Sequence, residues 1–167
     1  DKLYHRTEQY LLGGFDVEQE GARVEQALQA LREKLPDWPE RVLAVHARRG
    51  SPAYWAAFSS EDLVWHARLM READRRQQGL AIAIRTDARR SVTEVVVYTA
   101  QRRDLWPLLA GALAMGGANI LEARLFDMKD GWSLAVFAVQ DATGGPFDTG
   151  GRLERLESGM RRVLSGK

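Results

Sequence analysis

The chain has 167 residues, 45% apolar and 28% charged, with a net charge of +1 and no cysteine. Such values belong to the ordinary soluble globular class; they give no field that would gather polyanions and exclude disulfides, thiolate catalysis and cysteine-ligated zinc. The length suits one sizeable domain, or a domain of fewer than about 100 residues with a helical segment packed on it. No apolar run approaches the roughly 18 to 20 residues of a membrane span and no signal-peptide pattern opens the chain, so a cytoplasmic location is expected. The first residues, Asp1 to Leu12, are already in helical register without an initiator methionine, which suggests a segment of something longer.

Residues 1–78 read as helices. Leu3, Thr7, Tyr10 and Leu11 share one helical face, and Gly13-Gly14 stops it. Val24, Leu28, Leu31 and Leu35 then recur at helical spacing until Pro36-Asp37-Trp38-Pro39 breaks the pattern. Gly50-Ser51-Pro52 is the next break, followed by a cluster of Tyr54, Trp55 and Phe58. Ser59 or Ser60 is placed to accept hydrogen bonds from a helix start, with Glu61 and Asp62 where the helix dipole favours negative charge. Leu63, Ala67 and Met70 form the buried face of that helix.

From residue 80 the period becomes that of strands. "LAIAIRT" (80–86) and "TEVVVYT" (93–99) flank the polar "DARRS", a span suited to a hairpin. "DLWPLLAGALAMGG" is helical, with Asp104 as candidate N-cap, Leu105, Leu108, Leu109, Ala112 and Leu113 on one face, and Gly116-Gly117 as the stop. Two further strands, "NILEARLFD" and "WSLAVFAVQD", are joined through Asp130-Gly131, which supplies the positive backbone dihedral of a tight hairpin. After a Gly/Pro loop, Leu153, Leu156, Met160 and Val163 mark a last helix.

The order strand, strand, helix, strand, strand, helix is a ferredoxin-like βαββαβ unit of the α+β class, with an extra strand in front and none behind the second helix. The extra strand 80–86 is expected to take the place of the missing last one. The sheet then runs 80–86, 93–99, 132–140, 119–127, antiparallel throughout, and the chain divides into a helical linker segment (1–78) and the sheet domain (79–167). Val95, Val97, Leu134 and Val136 on one parity, and Val96, Tyr98, Ala135, Phe137 and Val139 on the other, are all apolar, so both faces require cover. Two helices cover one face only; the other calls for the N-terminal helices with Trp55, Phe58 and Trp65, or for a second copy.

The stretch 93–141, with its apolar strand, loop, helix, Gly-rich turn, Asn119-Ile120 and hairpin, resembles an ACT domain, the small-ligand sensing module attached to many metabolic enzymes. "NILEARLF", "DMKDGWSLAVFAV" and the upstream "YWAAFSSEDLVWHARL" make it more similar to the first ACT domain of the bifunctional uridylyltransferase/uridylyl-removing enzymes, which modify the nitrogen-regulatory protein PII. "LYHRTEQYLLGG" looks like the tail that follows that family's catalytic half. The resemblance implies a regulatory, non-catalytic fragment of a nucleotidyltransferase that also removes uridylyl groups. It further implies Mg2+ in the catalytic domains of the full-length enzyme but no cofactor in this chain, glutamine as the sensed amino acid, PII as substrate of the whole, other domains of the same polypeptide as partners, and a homodimer formed through the sheet. Neither catalytic signature of that family is present: Gly50-Ser51 has no spaced Asp pair after it, and no His precedes an Asp. His5, His46 and His66, scattered singly, read as helix-surface or partly buried residues rather than metal ligands.

The resemblance places an effector site on the loop Gln101, Arg102, Arg103, Asp104, Leu105 and on Asn119 and Ile120. Family loops usually read Asp-Arg-Pro-Gly-Leu, the glycine letting an effector reach backbone amides at the helix start. Here Gln101 stands for the Asp and Asp104 for the Gly, so a carboxylate occupies the anion position and is free to cap the helix. The residues alone favour a capped helix start with solvated arginines over a degenerate effector site, and both over a phosphate contact, which would need more glycines and a Gly-Lys-Ser/Thr ending. "RREADRRQ" and "DARRS" read as solvated charge, and Trp106 and Trp132 as packing residues. The favoured function is an interdomain or assembly role; glutamine sensing is the alternative.

Overall fold

The computed structural model describes residue 19, residues 21–147 and residues 151–165. The helical face of Leu3 to Leu11, the Gly13-Gly14 stop, His5 and the end of the Gly/Pro loop lie outside the described residues. The chain forms two compact units, Asp1–Ala67 and Arg68–Lys167, so the division falls inside a helix, before the change of periodicity near residue 79.

The described residues of the first unit are helical apart from short breaks. Helix α1 (21–34) buries Ala27 and Leu31, with Leu35 just beyond its end, and Pro36 to Pro39 then break the chain. Helix α2, Glu40–Arg49, ends at Gly50, and α3, Pro52–Ala57, starts under Ser51, whose hydroxyl accepts from the Tyr54 amide at 3.3 Å. Gly50 is needed there: a Cβ would lie 2.6 Å from Cε2 of Trp55, whose indole donates to the Gly50 carbonyl at 3.1 Å. Helix α4, Ser60–Arg76, is capped by Ser59, which accepts from the Asp62 amide at 3.2 Å. Leu63, Ala67 and Met70 are all buried, as their spacing predicts.

Both described histidines depart from expectation. His46 and His66 are 3% and 1% exposed, so neither lies on a helix surface. His46 stands edge-on between Trp38 and Trp55, ring centroids 6.1 and 5.4 Å away. His66 Nδ1 lies 2.9 Å from the Tyr54 hydroxyl, and Phe58 packs edge-on against its ring at 4.8 Å. A lone histidine carries no periodic signal. Its burial is decided by the aromatic residues that meet it from other parts of the chain.

The second unit holds the sheet. Strands β1 (Leu80–Asp87), β2 (Val92–Ala100), β3 (Asn119–Asp127) and β4 (Trp132–Gln140) form one antiparallel sheet in the order β1-β2-β4-β3. This is the expected order, with β1 pairing antiparallel with β2 at one edge of the sheet. Helices α5, Leu105–Met115, and α6, Gly151–Leu164, follow β2 and β4. Gly117 (φ +82°) ends α5: the Ala118 amide donates to Leu113 O at 2.9 Å and the Gly117 amide to Ala114 O at 3.0 Å, a Schellman closure. Gly131 (φ +85°) makes the β3–β4 turn.

The face assignment read across the strands requires correction. Val95 is opposite Phe137 and Val97 opposite Ala135, so the odd-numbered residues of β2 and β4 share one face. With Val139 they form a core under α5 and α6 that includes Leu105, Leu109, Leu113, Phe147, Leu156 and Met160. Val96, Tyr98, Leu134 and Ala138 make up the other face and are also buried within the single chain. Parity counted along one strand does not transfer to its neighbour until the register is known.

Strand β3 is one of the two edges of the sheet. A bulge between Ile120 and Glu122 shifts its register, and Leu121 and Leu125 remain about half exposed. Ile120 and Ala123 still reach the core under the helices.

Candidate effector site

The loop between β2 and α5 is tied down by its own side chains. Gln101 leaves β2 where Ala100 pairs with Trp132, and its amide donates to the carbonyls of Met128 and Trp132 at 3.1 and 3.0 Å. Its backbone amide donates to Gly131 O at 3.1 Å. Three bonds from one residue thus bind the loop to the β3–β4 hairpin.

Asp104 takes the N-cap position of α5, with φ −94° and ψ 10°, but its side chain makes no capping hydrogen bond. The expected cap is therefore absent, because the carboxylate is engaged elsewhere. Arg102 closes on it as a fork, Nε on Oδ1 and Nη2 on Oδ2 at 2.8 Å. This hydrogen bond holds the Asp104 carboxyl below the usual range and raises Arg102 above its own. Through Nη1, Arg102 also donates to Leu164 O at 3.1 Å, reaching the carbonyl end of α6 where a cation is favoured. Arg102, although exposed, is consequently a clasp between loop and helix. Arg103 is exposed, and Leu105 is buried in the core.

Asn119 and Ile120 lie elsewhere. Asn119 pairs with Gln140, whereas the loop follows the β2 residue that pairs with Trp132, so the two sites lie eight positions apart along β4. At ~3.3 Å per residue that is about 26 Å. One copy of the chain therefore brings Gln101, Arg102, Asp104 and Leu105 together and leaves Asn119 and Ile120 at the opposite end of β3. Asn119 is exposed and Ile120 half-buried.

Of the two tryptophans read as packing residues, Trp132 stacks on Tyr98 with ring centroids 4.6 Å apart, and the Tyr98 hydroxyl donates to Asp130 at 2.6 Å. Trp106 stacks on Phe137 at 5.8 Å yet stays 43% exposed. Sequence reading missed the hairpin carbonyls and Leu164 O as loop partners. Backbone acceptors leave no residue-type signal, and Leu164 is 62 residues from Arg102. It also missed a cleft between α5 and α6, although Arg152, Arg155 and Arg162 recur at helical spacing on α6.

Among the described residues no three His, Asp or Glu side chains are grouped to hold a metal ion, and no helix is long and apolar enough to cross a membrane. No family model matches the chain. Curated relatives do, over 99% of it: the bifunctional uridylyltransferase/uridylyl-removing enzymes of Azospirillum brasilense at 42% identity, Rhodospirillum rubrum at 37%, and a Bradyrhizobium species at 33%. In each case the chain spans only 18% of the relative's length. Across its whole extent, then, this chain is homologous to one region of the bifunctional uridylyltransferase/uridylyl-removing enzyme.

Proposed function

We propose that the chain is a non-catalytic regulatory segment of the ACT type within a bifunctional uridylyltransferase/uridylyl-removing enzyme, and that its role is interdomain transmission or assembly rather than effector capture. The observation that carries this is the state of the loop. An amino acid's α-carboxylate needs open donors at the start of α5; here Gln101 is spent on the hairpin carbonyls, and Asp104 with Arg102 puts a paired carboxylate beside that helix start. The catalytic domains, their Mg2+, the PII substrate and a cytoplasmic location belong to the proposed whole.

Calorimetric titration of glutamine, and of other amino acids, into the 167-residue chain tests the reading. No saturable heat is expected. Saturable binding with a simple stoichiometry would overturn it.

A second reading, glutamine sensing across a dimer, has a specific observation in its favour. β3 is an edge strand with Asn119 at one end and the 101–105 loop beside the other. Two copies paired antiparallel along β3 would bring each Asn119 towards the partner's loop. Glutamine heat that appears only in a dimer and disappears in Asn119→Ala would establish it.

A further inference from the structure

Between α5 and α6 lies a cleft of about 500 Å3, lined by Ala112, Met115 and Gly116 on one side and by Arg152, Arg155, Gly159, Arg162 and Val163 on the other. None of these lining residues is acidic. Arg152 is held in place: Nη1 lies 3.3 Å from Asp141 Oδ2, and the guanidinium sits 4.8 Å over the Phe147 ring. Arg155 donates to Gly151 O, and neither it nor Arg162 makes an ion pair among the described residues. The opposing wall is apolar, and Met115 at its lip is 89% exposed.

Two glycines shape the cleft. Gly116 admits Leu156, whose Cδ1 lies 2.7 Å from where a Cβ would be. Gly159 has no such reason: a Cβ there would meet nothing within 4 Å. A glycine in mid-helix costs about 1 kcal/mol against alanine, and this one returns no packing among the described residues. Its effect is to keep the cleft floor open.

We propose that this cleft seats an acidic amphipathic helix supplied by the remainder of the polypeptide, an inference that deepens the interdomain reading and rests on it. From Arg152 to Arg162 is ten residues, about 15 Å of helix. One small anion cannot span three guanidiniums so spread, whereas carboxylates on successive turns of a helix can, with its apolar stripe on Ala112, Met115 and Val163. The cleft contains no aromatic ring on which a nucleic-acid base would stack. The relatives are more than five times as long as this chain, and a helix tethered to the same polypeptide acts at high effective concentration, so modest charge pairing suffices.

The test uses the full-length polypeptide carrying Arg155→Lys or Arg162→Lys. Each substitution gives an amine that carbodiimide joins to a touching carboxylate, and mixing isotopically labelled with unlabelled protein separates links within a polypeptide from links between copies. Both variants are expected to link to acidic residues three, four or seven apart in one segment outside these 167 residues. The yield is expected to fall at least about fivefold in 1 M salt, where the screening length is about 3 Å. Links only to Glu154 or Glu157, links between copies, or none above the unsubstituted protein would overturn the proposal. So would an unchanged yield when Gly159→Met fills the cleft floor. Each failure would leave the interdomain reading itself to the glutamine titration.

Discussion

Acid is expected to unfold the first unit through His46. Its two ring nitrogens have no hydrogen-bond partner among the described residues, and the ring is enclosed by Trp38 and Trp55. Burial, with smaller contributions from Arg49 and His66, lowers its pKa from 6.5 to about 3. Below pH 6.5 the unfolded chain binds a proton that the folded chain refuses, so stability is complete above that pH and is lost as pH falls towards 3. At about 1.4 kcal/mol per unit, pH 5 removes about 2 kcal/mol and the whole interval at most about 5, against a total of roughly 5 to 15 for a domain. Urea titrations followed by tryptophan fluorescence at pH 7.5, 6, 5 and 4.5 measure this directly, since two of the indoles flank the imidazole. His46→Phe, which keeps the edge-on contacts and cannot titrate, is expected to lose about 2 kcal/mol less than the parent between pH 7.5 and 5. Equal losses in the two proteins would refute the reasoning.

Gly116→Ala is expected to cost about 1 kcal/mol, because its Cβ must displace the buried Leu156 side chain, while Gly159→Ala gains up to about 1 kcal/mol from helix propensity; thermal melts of the two read opposite shifts. Deleting residues 77–90 removes β1 and bares the edge of β2, and the product is expected to aggregate; a soluble monomer by sedimentation would show that β1 does not stand in for a closing strand. Asp104→Gly frees Arg102 and returns the glycine of the family loop, and is expected to give glutamine heat where the parent gives none. Calorimetry that stays silent in this variant would show that the Arg102–Asp104 clasp is not what closes the site.

Much of the sheet was legible because its signals are local. Apolar runs in 80–86 and 93–99, Asp130-Gly131, and the Gly116-Gly117 stop each constrain a few neighbouring residues, and the connection rules then leave one strand order. What escaped reading depends on distant partners. The sharing of a face by Val95 and Phe137 follows from a register set across 42 residues. The Arg102 bond to Leu164 O and the enclosure of His46 by Trp38 and Trp55 are likewise products of tertiary placement. The loop was thus legible as a place but not as a state: it falls between β2 and α5, as the change of periodicity predicts, while what its side chains do is decided by the hairpin and by the end of α6.

That separation of place from state bears on how such a segment could transmit anything. Arg102 joins the start of α5 to the end of α6, and Gln101 joins the same loop to the turn between β3 and β4. A displacement of α6 therefore cannot leave the loop unaffected without breaking the Leu164 bond, and a displacement of the loop is felt at the edge strand β3 through its hairpin. An effector bound at the loop would have to break these same contacts, and a helix seated in the α5–α6 cleft would press on them from the other side. On the proposed reading the clasp would both close the loop to a ligand and be the element through which a neighbouring domain is sensed, so weakening it with Arg102→Ala should loosen both couplings together. Hydrogen exchange at the β3–β4 turn and at the last turn of α6 is expected to rise in parallel in that variant. A rise at α6 alone would mean that the two couplings are independent.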